Sequence, residues 1–134
     1  MKEYCFPYRK EPSRVFGLID RPVVDVYLKT EEGDWFKVFL YVDSGADFTL
    51  FPKSVCKILG LKLKTGQRSC IGGVGGKPLV IYIHQVVMKI GDREFNARVR
   101  FAMREIIPYL LGRIDLLDYF DMRFEGSRVC FVEQ

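Results

Sequence analysis

Two acids lie close together in "FLYVDSGADFTLF", Phe39 to Phe51, where Asp43, Ser44, Gly45, Ala46 and Asp47 separate two apolar, strand-like runs. A carboxylate held still between strands can take a proton from water. Two carboxylates about 3 Å apart cannot both ionise, so they share a proton. One then acts as base towards water while the other polarises a carbonyl. The neighbours of Asp43 suit such a site. Ser44 can donate or accept a hydrogen bond. Gly45 has no side chain, so a substrate or a second chain can approach its backbone. Ala46 adds neither bulk nor a hydroxyl. The alternative is an acidic surface turn on a structural β domain.

One Asp-Ser-Gly supplies one carboxylate, and the chain contains no second copy. Asp115, Asp118 and Asp121 fall in a helix-like segment with no Ser/Thr-Gly after them. A homodimer with a two-fold axis resolves the shortage, because each chain brings its own Asp43 to an isologous interface.

Other reactive groups point elsewhere or nowhere. "CIGGVGGKP" is glycine-rich, but Ile71 stands where a phosphate loop needs its first Gly, and Pro78 follows Lys77. The dinucleotide spacing is absent, and "LVIYIHQVV" after it is strand-like. The cluster reads as a hairpin tip around Gly72, Gly73, Gly75 and Gly76, with Val74 at its centre. Glycines there lower the barrier to motion, as a lid over a cleft requires. The four cysteines, at 5, 56, 70 and 130, make no C-x-x-C pair and read as reduced, buried thiols. His84 is the sole histidine and sits in a strand-like run. No metal site and no cofactor is expected.

The elements that position the acids follow from periodicity and punctuation. "PVVDVYLK" and "WFKVFLYV" read as a hairpin turning at Gly33-Asp34. "FTLF" is a short strand. "PKSVCKILG" is a short helix with Pro52 in its first turn, Val55, Ile58 and Leu59 on one face, and Gly60 as its left-handed stop. Two strands flank the glycine-rich tip. "EFNARVRFAM" is a strand with Phe95, Ala97, Val99 and Phe101 on one face. "PYLLGRIDLLDYF" starts as a strand and turns helical from about Ile114. "DMRFEGSRVCFV" closes as a hairpin at Glu125-Gly126-Ser127. Pro7, Pro12 and mixed charge predict an irregular N-terminal arm over residues 1–20, with the domain spanning 21–134. The whole is mainly β, without βαβ alternation, and predicts a small closed or partly closed barrel.

Bulk properties narrow the class. The chain has 134 residues, 49% hydrophobic and 28% charged, enough for one domain with a real core. Net charge is +4 with no basic stripe, so nucleic acid is not an expected partner. No run approaches the ~18 apolar residues of a membrane helix, and no signal peptide is evident. A cytoplasmic location without membrane association is the expectation.

Three stretches together resemble the retropepsin-like aspartic peptidases. "VDSGADFTLF" resembles their active-site loop, "IGGVGG" is similar to their glycine-rich flap, and "YLLGRIDLLDYF" looks like their second signature. The three occur in the family's order and spacing, between about Val23 and Val132. The resemblance implies a small all-β acid-protease barrel with one or two short helices, one lobe per chain, acting as a homodimer on peptide or protein substrates. It implies Asp43 as the catalytic aspartate, with Ser44 bridging to the partner's loop. It places Gly45, Ala46, Asp47 and the flap residues Ile71, Gly72, Gly73, Val74 and Gly75 against substrate. Gly112 and Arg113 become structural support, with Arg113 paired to Asp47. Ile114 departs from the Asp or Asn that often follows Gly-Arg in the family. The function implied is endopeptidase hydrolysis by two Asp43 carboxylates. The alternative is a weak or inactive dimer of the same fold that binds peptides or proteins.

Overall fold

Alternating apolar residues force Val24, Val26 and Leu28 onto one face of their strand and Val38, Leu40 and Val42 onto one face of the next. In the computed structural model, which describes residues 2–72 and 76–134, both sets are buried. The strands are β1 (Glu3–Pro7), β2 (Arg9–Ser13), β3 (Gly17–Arg21), β4 (Val23–Lys29), β5 (Trp35–Val42) and β6 (Thr49–Pro52). The chain continues through helix α1 (Lys53–Ile58), β7 (Gln67–Ile71), β8 (Leu79–Ile90), β9 (Arg93–Ala102) and β10 (Leu110–Leu111). It ends with β11 (Phe120–Phe124) and β12 (Arg128–Glu133).

The main sheet runs β4-β5-β10-β6-β9-β8-β7, and β4 also pairs with β8 through Tyr27↔Lys89 and Leu28↔Met88. That extra pairing joins the sheet back on itself, so β7 hangs outside the closed ring. The expected barrel is therefore present. Most ladders are antiparallel, but β10 runs parallel to β5, and β6 parallel to β9. β10 is thus threaded between β5 and β6, the two strands that the Asp43 loop connects.

The core fills the ring from every side. Val86, Met88 and Ile90 of β8 alternate inward, as do Ala97, Val99 and Phe101 of β9. Phe51 stacks on Phe101 with ring centroids 5.8 Å apart. Each such fully buried large side chain contributes roughly 1.5–3 kcal/mol of hydrophobic stabilisation. α1 lies against the barrel through Val55 and Cys56, with Leu59 just beyond it. Ile58, expected on that face, is instead half exposed at 50%. The short helix is stopped by Gly60 at φ +83°, as its sequence position predicted.

Two expectations are corrected. Residues 1–20 are not an irregular arm. β1 pairs with β12, which also pairs with β11, and β2 pairs with β3 in a separate hairpin. Pro7 and Pro12 are tolerated because they stand at a strand end and in an isolated two-stranded hairpin, where few ladder bonds are forfeited. The segment after Ile114 is a turn with Asp115 at φ +63° and then a single 3-10 turn at Leu117–Tyr119, not an α-helix.

The cysteines also divide differently from expectation. Cys5 and Cys130 face each other across the β1–β12 ladder and form a disulfide. Cys56 is a free, buried thiol and Cys70 a free, exposed one. Burial pushes the Cys56 thiol pKa up.

Candidate active site

β5 delivers Asp43 at the end of a run whose last residue, Val42, is buried. The loop that follows is tied at one end to β10 and at the other to the segment just after it. The Asp43 N–H donates to the Leu111 carbonyl at 3.0 Å. The Arg113 N–H donates to the Ala46 carbonyl at 3.0 Å, and the Ile114 N–H to the Asp47 carbonyl at 2.8 Å. The Gly112 N–H donates to Thr49 Oγ1 at 3.1 Å, in the interior. Thr49 is the buried polar side chain of the described residues. Gly112 is required where it stands, because a Cβ there would lie 2.3 Å from the Phe48 carbonyl carbon.

Inside the loop, the Ala46 N–H donates to the Asp43 carbonyl at 3.1 Å and the Gly45 N–H to Asp43 Oδ1 at 3.0 Å. The second bond fixes the position of one carboxylate oxygen. Asp43 is half buried, while Ser44, Gly45 and Asp47 are exposed and Ala46 is half buried. The loop thus presents one oriented carboxylate with an open face beside it.

Asp43 borders a cavity of about 520 Å³. Its apolar walls are Pro22, Val42, Pro108 and Leu110, and its polar ones Glu11, Arg21 and Tyr41. The Tyr41 hydroxyl donates to Glu11 at 2.7 Å. That hydrogen bond, with burial and the nearby negative charge, pushes the Tyr41 pKa up. Glu11 comes from the β2–β3 hairpin, so the N-terminal segment forms one wall of the cavity. Nothing in the spacing of "RKEPS" marked Glu11 for that place.

Asp47 and Arg113 are brought close along the backbone but not paired by side chain. Arg113 Nε lies 3.3 Å from Asp118 Oδ1. The cation whose charge Asp47 supports is Arg100. Its guanidinium lies 4.0 Å over the Phe48 ring, and burial lowers its pKa. Asp115 is bound by Arg98, at 2.7 Å from Nε and 3.1 Å from Nη2, with the Arg98 N–H at 3.0 Å. These bonds hold the Asp115 carboxyl below the usual carboxylate range.

The arms of the glycine-rich hairpin pair from Gln67↔Ile83 to Ile71↔Leu79. Ile71 is half buried and Gly72 exposed. Gly73, Val74 and Gly75 lie outside the described residues. His84 Nε2 lies 2.8 Å from the Leu63 carbonyl, which accepts its proton, a structural role. Among the described residues, no three His, Cys, Asp or Glu side chains converge to hold a metal ion.

A ring of strands with a third strand threaded beside an Asp-Ser-Gly loop is the retropepsin-like fold, and this chain has it. A retropepsin-like aspartic protease from Rickettsia conorii superposes with a TM-score of 0.71 at 18% identity, covering 98% of this chain and 99% of that one. EIAV protease in complex with the inhibitor HBY-793 superposes with a TM-score of 0.51 at 23% identity, covering 75% and 86%. No family model and no curated protein sequence matches the chain.

Proposed function

We propose that the protein is a homodimeric aspartic endopeptidase. The observation that carries this reading is Asp43 itself: one carboxylate per chain, oriented by the Gly45 N–H, on a loop pinned by β10. Two copies meeting about a two-fold axis supply the pair. The ionised Asp43 takes a proton from a water molecule, and the protonated partner donates a hydrogen bond to the peptide carbonyl. Water adds to that carbon, and the tetrahedral species collapses as the nitrogen leaves with a proton. Exposed Ser44 bridges to the partner loop. Gly45, Ala46 and Asp47 lie along the substrate backbone, held as an added strand. The β7–β8 hairpin, with Ile71 and Gly72 at its described end, lies over the substrate. Gly112 supports the loop by close approach and Arg113 by its backbone N–H.

The test is subunit mixing. Asp43→Asn protein is titrated into wild type while peptide cleavage is followed. Mixed dimers hold one carboxylate, so activity should fall towards zero as the variant reaches excess. Activity that stays proportional to the wild-type chains present would show that each chain works alone.

A further inference from the structure

The wall that the β2–β3 hairpin adds to the Asp43 cavity has a chemistry of its own. Tyr41 donates its hydroxyl proton to Glu11 at 2.7 Å, with the second Glu11 oxygen at 3.0 Å. The phenol oxygen is left as an acceptor. An ionised Glu11 carboxylate has acceptor oxygens and no donor. Arg21 is the donor on this wall, and its Nε stands 3.8 Å from Glu11 Oε2. That is too long for a hydrogen bond. The Glu11 side chain is 24% exposed against 48% for Arg21, so the carboxylate is the more buried of the two. Arg9 does not line the cavity; its guanidinium lies over the Phe39 ring at 4.4 Å, within electrostatic reach of Tyr41. The rest of the lining includes the apolar residues Pro22, Val42, Pro108 and Leu110. Apolar lining beside the Glu11 carboxylate and the Tyr41 oxygen fits a side chain with an aliphatic stem and a cationic head.

We infer that this cavity is a substrate subsite selecting lysine or arginine next to the scissile bond, and that Glu11 is its specificity-determining residue. The inference rests on the endopeptidase reading for the meaning of "scissile bond" but not for its test. Glu11 reads the substrate, and Tyr41 positions Glu11. Arg21 opposes the preference by partly neutralising Glu11.

The test uses Asp43→Asn protein, which removes turnover and keeps Glu11, Tyr41 and Arg21, and a positional-scanning peptide library with Lys, norleucine or Glu fixed at one position at a time. Binding is read by fluorescence anisotropy. At one position Lys should bind roughly tenfold tighter than norleucine, the scale of one charge-assisted hydrogen bond. Adding Glu11→Gln should bring that ratio to about one. Adding Arg21→Gln should raise it, a change of opposite sign that misfolding cannot imitate. A Lys preference that survives Glu11→Gln, a preference for Glu, or no preference anywhere overturns the inference. Wild type that cleaves the library without favouring Lys sinks this inference alone. Lys binding that depends on Glu11, in a wild type that cleaves nothing, sinks the endopeptidase reading alone.

Discussion

The Gly112 N–H and the Thr49 hydroxyl oxygen meet at 3.1 Å inside the barrel, and through them β10's continuation is locked to the far end of the Asp43 loop. Replacing Thr49 with valine keeps the shape and leaves that buried N–H without a partner. Such a group costs about 1–3 kcal/mol. Thr49→Val should lower the thermal midpoint by several degrees, and Thr49→Ser should restore most of it. Differential scanning calorimetry of the three proteins measures the effect. Gly112→Ala should be worse than Thr49→Val, because its Cβ meets backbone that cannot step aside.

Asp43→Asn should abolish peptide cleavage while changing the thermal midpoint little. Asparagine is nearly isosteric, and its side-chain oxygen can still accept the Gly45 N–H. Turnover of a quenched fluorescent peptide, set beside the melting curve, reads both properties. Turnover at the wild-type rate would return the loop to the status of an acidic surface turn.

Arg113→Ala should cost little stability. Its side chain pairs at the surface with Asp118, where both groups are about half exposed. Ion pairs of that kind contribute about 0–1 kcal/mol. The hold on the loop is made by the Arg113 backbone N–H, which alanine retains. A drop of several kcal/mol in urea unfolding would show that the guanidinium has a second role.

Reduction of the Cys5–Cys130 bond should destabilise the protein markedly. The bond links positions 125 residues apart, nearly the whole chain. The loop-entropy model assigns a cross-link of that span about 5 kcal/mol, as an upper figure. The double variant Cys5→Ser/Cys130→Ser should melt lower than oxidised wild type and match the wild type in reductant. Intact mass before and after reduction and alkylation reports which cysteines are bonded. Alkylation without reduction should label Cys70 first, since it is the exposed free thiol.

Stability should depend on Asp115 at acid pH. Its folded pKa is depressed, chiefly by the hydrogen bonds from Arg98. A depressed carboxyl stabilises the fold above its unfolded pKa, near 4, and loses that contribution as pH falls through the lower folded value. The thermal midpoint of wild type should therefore approach that of Asp115→Asn as pH falls below about 4. Asparagine also tolerates the φ of +63° that this position adopts. A constant gap between the two proteins from pH 7 to pH 3 would contradict this account.

Most of the barrel was legible in the chain because alternation of period two is a local property. β4, β5, β8 and β9 each bury the face that their own sequence marks. The hairpins at Gly33-Asp34 and Glu125-Gly126-Ser127 were legible for the same reason, since turn residues act within a few positions. Ile58 shows the limit. A helix of six residues carries too little periodicity to say which side a barrel will cover.

The N-terminal strands escaped a local reading because "RKEPS" has no alternation, and β1 owes its state to β12, more than a hundred residues away. The Cys5–Cys130 pairing is hidden for the same reason. Only the ladder register brings the two sulfurs together.

For the site, the sequence alone determined the type and order of the reactive residues: Asp43 flanked by Ser44 and Gly45, with Gly112 and Arg113 following far along the chain. Tertiary structure decided what they touch. It threaded β10 beside the loop, gave Arg113's side chain to Asp118, laid Arg100 over Phe48, and brought Glu11 to the cavity of Asp43. The physical reason is range. Backbone preference and side-chain alternation are set by neighbours along the chain, whereas ion pairs and cavity walls are set by neighbours in space.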